Sequence, residues 1–329
     1  MVIYNPPVKD YEFLFNEVFD IIPTIQKLGY EEMDSDFLTM LMEGWADHTT
    51  NFWLPINQLG DKIGIRYEDG LIKSPKEFRD AYHKGVDSGW LSTSCKEEHG
   101  GMGVPVFFQA VTWAEFGTAT NMALSVLPAL TTGVYEVLTE HGDEHLVDYF
   151  APEIGKATWA GTMCLTEPHA GTDLGMISTK AIPREDGSYS VSGTKIFITY
   201  GEHDITENIV HLVLAKTPDA PEGTKGISLF LVPKYLPSEW KTGTLEGIST
   251  SLRKEVNGIS CSGSEEKMGL HASPTCVINF ENSIGWRVGD LHNGMPLMFQ
   301  MMNRERLATG MMGIGLAEIA YQNALSWVK

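Results

Sequence analysis

Apolar residues recur at helical spacing along the first half of the chain. The first such set comprises Tyr11, Leu14, Phe15, Val18 and Phe19. These positions lie at i, i+3, i+4, i+7 and i+8, which is one face of an amphipathic helix. Residues 107–138 are too uniformly apolar for a surface helix and predict two buried helices. We therefore predict a helical region over residues 1–158.

Short runs rich in β-branched and aromatic residues follow residue 159. They span residues 189–199, 209–215, 226–232 and 275–280. Turn residues separate these runs, and Asp186-Gly187 ahead of alternating apolar positions predicts a β-hairpin. Successive strands with turns between them are typical of an antiparallel sheet rather than a βαβ fold. We predict such a sheet over residues 159–283.

Helical spacing returns at Gly294 and continues to Lys329. A long apolar helix without a mate indicates a chain that stops within a domain. Residues 284–329 are therefore expected to hold the first helix of an incomplete C-terminal helical domain. The predicted fold class is α+β, with an N-terminal helical domain (1–158), a central antiparallel β domain (159–283) and the start of a C-terminal helical bundle.

Charge and cysteine content exclude several classes of protein. The 24 basic and 43 acidic side chains give a net charge of −19, so phosphate backbones repel the chain and nucleic acid is not an expected partner. The four cysteines form no CxxC pair, which indicates neither a zinc site nor a disulfide framework. His141 and His145 lack a third ligand nearby, so no metal is expected. Because we find neither a secretory signal nor an apolar run of the ~20 residues that a bilayer requires, we expect a soluble, cytoplasmic protein.

Residues 163–173 read Met-Cys-Leu-Thr-Glu-Pro-His-Ala-Gly-Thr-Asp and are the most specific segment of the sequence. The pattern predicts a strand that runs into a loop rich in hydroxyls and small residues. Pro168 lacks an amide donor and Gly171 permits a positive φ, so such a loop can expose backbone N–H groups. The loop would suit a polar heterocycle or a phosphate, although an ordinary turn has the same composition.

A second segment, residues 193–199, predicts a strand with Phe197 two residues before Thr199. In an uninterrupted strand these two side chains share one face of the sheet. An aromatic plane beside a hydroxyl could stack on a ring and donate a hydrogen bond to it. A core phenylalanine beside an edge threonine is the simpler interpretation of this segment alone.

Together, in this order and at this spacing, the two segments resemble the flavin-contacting stretches of the acyl-CoA dehydrogenase family. The resemblance covers the whole chain and includes residues 266–273. Residues 7–13 and 201–204 resemble a bacterial branch that includes the 3-(methylthio)propanoyl-CoA dehydrogenases. Members of that branch carry a longer C-terminal region, so the resemblance implies a C-terminally truncated chain.

The resemblance implies FAD as the cofactor, an acyl-CoA as the substrate, an electron-transfer flavoprotein as the electron acceptor, and a homo-oligomer. The residues implied at the flavin are Met163, Cys164, Leu165, Thr166, Phe197, Ile198 and Thr199. Three further residues, Thr172, Asn303 and Arg306, are implied at the CoA part of the substrate. Asn303 replaces a frequent aspartate of the family, which leaves its particular contact open.

The chemistry of the family needs a carboxylate that removes the α proton of the thioester. Most members place this base in the C-terminal helices, beyond residue 329. A minority place it just before the arginine that matches Arg306, and Glu305 stands at that position. Both assignments stay open from the sequence, since a solvated glutamate between two arginines has the same pattern.

Two other functions fit the same resemblance. An acyl-CoA oxidase on this fold would pass its electrons to oxygen instead of to an electron-transfer flavoprotein. A truncated, non-catalytic relative would act only as a flavin- or CoA-binding module.

Overall fold

The computed structural model describes residues 2–329. Its helices are α1 (Val8–Phe13), α2 (Ile22–Lys27), α3 (Ser35–His48), α4 (Leu54–Ile63), α5 (Lys76–Asp87), α6 (Val106–Phe108), α7 (Ala114–His141), α8 (Glu144–Gly155) and α9 (Gly294–Val328). Its strands are β1 (Arg66–Glu68), β2 (Leu71–Lys73), β3 (Trp159–Cys164), β4 (Lys180–Pro183), β5 (Tyr189–Thr199), β6 (Asn208–Lys216), β7 (Ile227–Pro233), β8 (Tyr235–Pro237), β9 (Leu252–Val256), β10 (Ile259–Ser264) and β11 (Thr275–Val288).

The helical N-terminal region is confirmed, and α7 is its central element. Together with α6 and the π-helical turn between them, α7 gives a helix from Val106 to His141 that is long and apolar enough to cross a membrane. However, 67% of its most apolar window is buried inside the protein, which is typical of a core helix. The two predicted buried helices are the two halves of α7, divided at Asn121 (φ −159°, ψ 86°). The Asn121 Oδ1 accepts from the Leu124 N–H at 3.1 Å and so caps the second half.

Seven strands form the main sheet, which has the order β10-β11-β5-β4-β6-β3, with β7 pairing to both β11 and β6. The hairpin predicted at Asp186-Gly187 is present as antiparallel β4 and β5. The prediction of a purely antiparallel sheet is wrong, because β3 runs parallel to β6 from Trp159↔Asn208 to Cys164↔Val213. More than forty residues separate these strands, including the β4–β5 hairpin, and a connection of that length lets the chain re-enter in the same direction.

Helix α9 packs along α7. Two glycines allow the close approach: a Cβ on Gly133 would lie 2.8 Å from Met301 Cγ, and one on Gly315 would lie 2.6 Å from the Glu115 carbonyl oxygen. The N-terminal tail lies on the same helix, since the Ile3 N–H donates to Asn323 Oδ1 at 3.0 Å. Helix α9 therefore has partners within the chain on one side, whereas the prediction of a helix without a mate concerns its other, exposed face. Other apolar side chains on it are exposed, among them Leu307, Ile314 and Leu316.

The domain boundaries at residues 158 and 283 stay predictions. The strands of the main sheet begin at Trp159, but β11 continues to Val288, five residues past the second predicted boundary.

Candidate functional site

The end of β3 and the middle of β5 lie side by side. The Ile196 N–H donates to the Thr166 carbonyl oxygen at 2.8 Å, and the Lys195 Nζ donates to the Leu165 carbonyl oxygen at 2.9 Å. The loop after β3 is thus joined to β5 through main-chain acceptors. Two stretches about thirty residues apart in sequence therefore form one continuous surface. The two stretches include the residues that the resemblance implies at a flavin, of which Cys164, Leu165 and Ile198 are buried.

A buried ion pair also joins β5 to the loop after β3. The Lys195 Nζ lies 2.9 Å from Glu167 Oε1, and both side chains are buried. Glu167 also accepts hydrogen bonds from the backbone and hydroxyl groups of Ser178 and Thr179. Burial alone would raise the pKa of Glu167, but the Lys195 charge and these hydrogen bonds outweigh it and lower the pKa to about 2. The carboxylate is therefore charged and fully engaged, which makes Glu167 a structural group and not a proton acceptor.

Strand β5 is interrupted at Phe197. The register against β11 shifts between Cys276↔Ile198 and Ile278↔Lys195, and Phe197 has a φ of +59°. This bulge breaks the alternation from which we predicted that Phe197 and Thr199 share a face. Its effect is to leave Phe197 57% exposed on a strand whose other residues are all buried or partly buried. A large aromatic ring held out by an uncommon backbone conformation is suited to stack on a flat ligand.

The polar groups next to Phe197 remain available to a ligand. Thr166 and Thr199 are each partly buried, and within residues 2–329 neither hydroxyl makes a hydrogen bond to another protein group. Cys164 is buried beneath them, where its thiol lies near Thr162 and His211, and burial raises its pKa to about 12. The thiol stays protonated, so this site has no thiolate chemistry. An exposed ring beside two free hydroxyls fits the edge and face of a heterocycle such as a flavin.

Glu305 lies in a different setting from the solvated glutamate that its charged neighbours suggest. It lines a cavity of about 50 Å³ whose walls come from α3, α7, α9 and the segments between them. Within the described residues its Oε1 is buried with no hydrogen-bond partner. Burial raises the pKa of Glu305 above its ordinary value, and the Arg304 charge only partly opposes this. The carboxylate is thus poised to accept a proton inside an apolar cavity.

The two arginines that flank Glu305 differ sharply. Arg304 is directed inward and donates to Glu136 on α7 and to Gln109 before it. Arg306 is exposed and donates to Asn303 Oδ1 at 2.8 Å on the outer side of α9. The sequence points to Arg306 and gives no sign of the role of Arg304, which holds the helix turn carrying Glu305 against α7.

The residues implied at CoA are only partly brought together. Asn303 and Arg306 are hydrogen-bonded on α9, as described above. Thr172 is exposed in the loop after β3, and within residues 2–329 no hydrogen bond joins it to either of them. These three assignments stay predictions.

Comparison with known proteins identifies the class to which this architecture belongs. Residues 162–283 match the acyl-CoA dehydrogenase middle domain. The fold is similar to that of butyryl-CoA dehydrogenase from Megasphaera elsdenii, with a TM-score of 0.70 and 21% identity over 89% of this chain and 70% of that one. It is similar in the same way to glutaryl-coenzyme A dehydrogenase, with a TM-score of 0.69 and 22% identity over 88% and 65% of the two chains.

Sequence comparison makes the relationship more specific. The chain is 40% identical over 327 residues to 3-methylmercaptopropionyl-CoA dehydrogenase of Ruegeria pomeroyi, which is 99% of this chain and 54% of that protein. It is 37% identical over 287 residues to a butyryl-CoA dehydrogenase of Syntrophomonas wolfei, which is 84% of this chain and 45% of that protein. The chain belongs to the acyl-CoA dehydrogenase family. It spans about half the length of the curated relatives it matches.

Proposed function

We propose that the complete protein is an FAD-dependent acyl-CoA dehydrogenase, which introduces a double bond between the α and β carbons of an acyl-CoA thioester. The observation that carries this proposal is the Ile196–Thr166 hydrogen bond, because it joins the two flavin-type segments into one surface. Helix α7 connects that surface to the Glu305 cavity: Thr131 Oγ1 accepts from the Gly161 N–H of β3, and Ala129, half a turn earlier, lines the cavity.

Each group has a defined part in the proposed reaction. Thr166 and Thr199 offer hydroxyls to the polar edge of the isoalloxazine, and the Phe197 ring packs on it. When bound, FAD supplies the acceptor for the β hydrogen, which leaves as a hydride. Glu305 Oε1 takes the α proton, and the apolar cavity around it keeps the carboxylate basic enough for this transfer. Asn303 and Arg306 are proposed to bind the CoA part from the outer side of α9.

Electrons are proposed to pass to an electron-transfer flavoprotein, in keeping with the family. The oxidase alternative predicts a different lifetime of the reduced flavin in air. In a dehydrogenase the substrate-reduced flavin persists in air, whereas in an oxidase it reoxidises at once. Absorbance of the substrate-reduced complete protein, followed after opening to air, separates the two.

Flavin binding is the first part of the proposal to be tested by substitution. Thr166→Ala and Thr199→Ala are each expected to weaken FAD binding by a few-fold to roughly tenfold, because each removes one neutral hydrogen bond worth about 0.5–1.5 kcal/mol. The measurement is titration of the complete apoprotein with FAD, followed by its absorption spectrum. Thr194→Ala is the matched control, since its hydroxyl already donates to Asn279 on β11. Unchanged affinity in both variants, or a complete protein that stays colourless with FAD, would contradict the flavin assignment.

The Glu305 cavity, as the site of the acyl group, is the second part of the proposal that a substitution can test. Ala129 lines it, so Ala129→Phe is expected to fill most of its 50 Å³ and to exclude the acyl group. One methylene that an apolar pocket no longer accommodates is worth about 1–3 kcal/mol of transition-state binding, which predicts a loss of roughly tenfold or more in kcat/KM for all but the shortest acyl groups. Ala129→Val serves as a graded control with a smaller expected effect. A chain-length profile that does not change in either variant would place the acyl group elsewhere.

A further inference from the structure

Two of the four free cysteines lie on neighbouring strands of the main sheet. Cys261 belongs to β10 and Cys276 to β11, and the two strands pair antiparallel. Both side chains are buried in the same hydrophobic cluster, with exposed fractions of 4% and 0%. The fold therefore brings two thiols from separate strands into one part of the core.

The strand register makes these two thiols neighbours. Cys261 is opposite Ile278, and Cys276 lies two positions from Ile278 along β11. Because side chains alternate between the two faces of a strand, Cys276 and Ile278 point to the same face. Gly263, two residues after Cys261, has no side chain that could lie between the thiols. Cys261 and Cys276 are thus diagonal neighbours on one face of the sheet.

The two thiols also interact directly. A hydrogen bond between them lowers the pKa of Cys261 below its ordinary value, although burial opposes this, and the same bond raises the pKa of Cys276. Burial instead raises the pKa of Cys95 and of Cys164 to about 12. Because the thiolate is the nucleophilic form of cysteine, Cys261 is the most reactive of the four.

Cys261 is placed where a small reagent can reach it. Strand β10 is at an edge of the main sheet, and among the described residues β11 is its only strand partner. Its residues Ser260 and Ser262 are exposed on the outer face. Elements with few partners open at a lower free energy than the centre of a sheet. Opening of β10 alone therefore exposes the Cys261 thiol, while the rest of the sheet stays folded.

We propose that Cys261 and Cys276 form a disulfide bond when the protein meets a hydroperoxide, of which hydrogen peroxide is the simplest. The Cys261 sulfur attacks one peroxide oxygen, the O–O bond breaks, and one water leaves with a sulfenic acid on Cys261. The Cys276 sulfur then attacks the Cys261 sulfur, the S–O bond breaks, and a second water leaves. Each water carries off one thiol proton, and the two electrons that the thiols lose reduce the peroxide.

The new bond lies beside one of the flavin-type segments. Cys276 pairs with Ile198 of β5, between Phe197 and Thr199. The disulfide therefore ties the edge strand to the strand against which the bulge at Phe197 forms. The chemistry requires neither FAD nor Glu305, so it is independent of the proposed function.

The test is a peptide map of the complete protein after treatment with hydrogen peroxide. The remaining thiols are alkylated in denaturant, and trypsin is then added without reductant. Trypsin cleaves after Lys267, between the two cysteines, so that they lie in separate peptides, residues 255–267 and 268–287. The expected product is these two peptides joined, at the sum of their masses less two hydrogens, and a reductant separates them. Oxidation of the exposed Met268 adds one oxygen to the second peptide and leaves the cross-link unchanged.

Serine variants separate the two steps. Cys276→Ser should stop at the sulfenic acid of Cys261, which dimedone traps, whereas Cys261→Ser should leave Cys276 as a free thiol. Cys95→Ser is the matched control, because Cys95 lies in a different hydrophobic cluster, and it should form the cross-link to the same extent as the wild type.

The wild-type peptide map decides the question even if a variant does not fold. Recovery of both Cys261 and Cys276 as thiols overturns the proposal. So does oxidation of Cys261 to a sulfinic acid while Cys276 remains a thiol, or a cross-link from either residue to another cysteine.

Discussion

Replacing Glu305 with glutamine in the complete protein is expected to lower the rate of flavin reduction by an acyl-CoA at least on the order of a hundredfold. General-base catalysis typically contributes 10²–10⁴-fold, and an amide cannot accept the α proton. FAD and acyl-CoA should both still bind, since glutamine has the same shape and the Glu305 Oε1 has no hydrogen-bond partner to lose among the described residues. Rapid mixing of the oxidised protein with substrate, followed by flavin bleaching, measures this rate.

The control for this substitution lies on the same helix. Glu318→Gln removes a carboxylate of α9 that is hydrogen-bonded to Gln322 and does not line the cavity, so it should leave the reduction rate near the wild-type value. Near-normal bleaching in Glu305→Gln would remove Glu305 from the mechanism. The base would then be a carboxylate outside residues 1–329, and this chain would contribute the flavin and substrate surfaces alone.

The pH dependence of reduction gives a second readout of the same group. Burial raises the pKa of Glu305 above the ordinary value of 4.5, and the base acts only when it is deprotonated. The reduction rate should therefore rise with pH through a value above 4.5 and reach a plateau once Glu305 is ionised. In Glu305→Gln this acid limb should disappear from the residual rate.

Lys195→Met is expected to have the largest effect on stability. It leaves the Glu167 carboxylate buried without its counter-ion, and breaking a buried pair from one side costs about 3–5 kcal/mol. Because Lys195 and Glu167 join β5 to the loop after β3, FAD affinity should fall together with the midpoint of thermal unfolding. Lys180→Met, which removes an exposed lysine from neighbouring β4, is the matched control and should change neither quantity appreciably.

The double variant Lys195→Met, Glu167→Gln separates a charge effect from a packing effect. It has no uncompensated buried charge, so it should recover part of the stability that Lys195→Met loses.

The same ion pair also predicts how the stability of the protein depends on acid pH. Glu167 has a depressed pKa in the folded state, so its contribution is complete above about pH 4.5 and is lost as the pH falls toward about 2. A Lys195→Met protein as stable as Lys180→Met would refute this role for the pair.

Local patterns in the sequence carried much of the fold. The Asp186-Gly187 hairpin and the two halves of α7 follow from turn residues and apolar spacing, which act over a few residues. The parallel pairing of β3 with β6 could not be predicted in this way, because strand direction within a sheet is decided by distant partners. The break in α7 falls at Asn121, which the sequence does not distinguish from other polar helix positions. Its hydrogen bond with the Leu124 N–H becomes evident only in the structure.

In the candidate site, too, the residues could be identified from the sequence but their contacts could not. The two flavin-type segments were identified from their residues, but their contact through Ile196 and Thr166 depends on the assembled sheet. The buried ion pair was not predicted, although a lysine within a predicted strand, Lys195, could have indicated that a buried acidic partner is needed. The sequence around Glu305 gave no sign that its carboxylate is buried, because the residue lies between two arginines. The orientation of α9 about its axis decides that Arg304 is buried and Arg306 is exposed.

Anaerobic mixing of the complete, FAD-containing protein with a short acyl-CoA thioester tests the proposed dehydrogenation most directly. The proposed function predicts that the absorption band of the oxidised flavin bleaches in proportion to the thioester added, and that the matching α,β-unsaturated thioester is formed. Bound FAD that stays oxidised with every saturated acyl-CoA offered would contradict the proposed function.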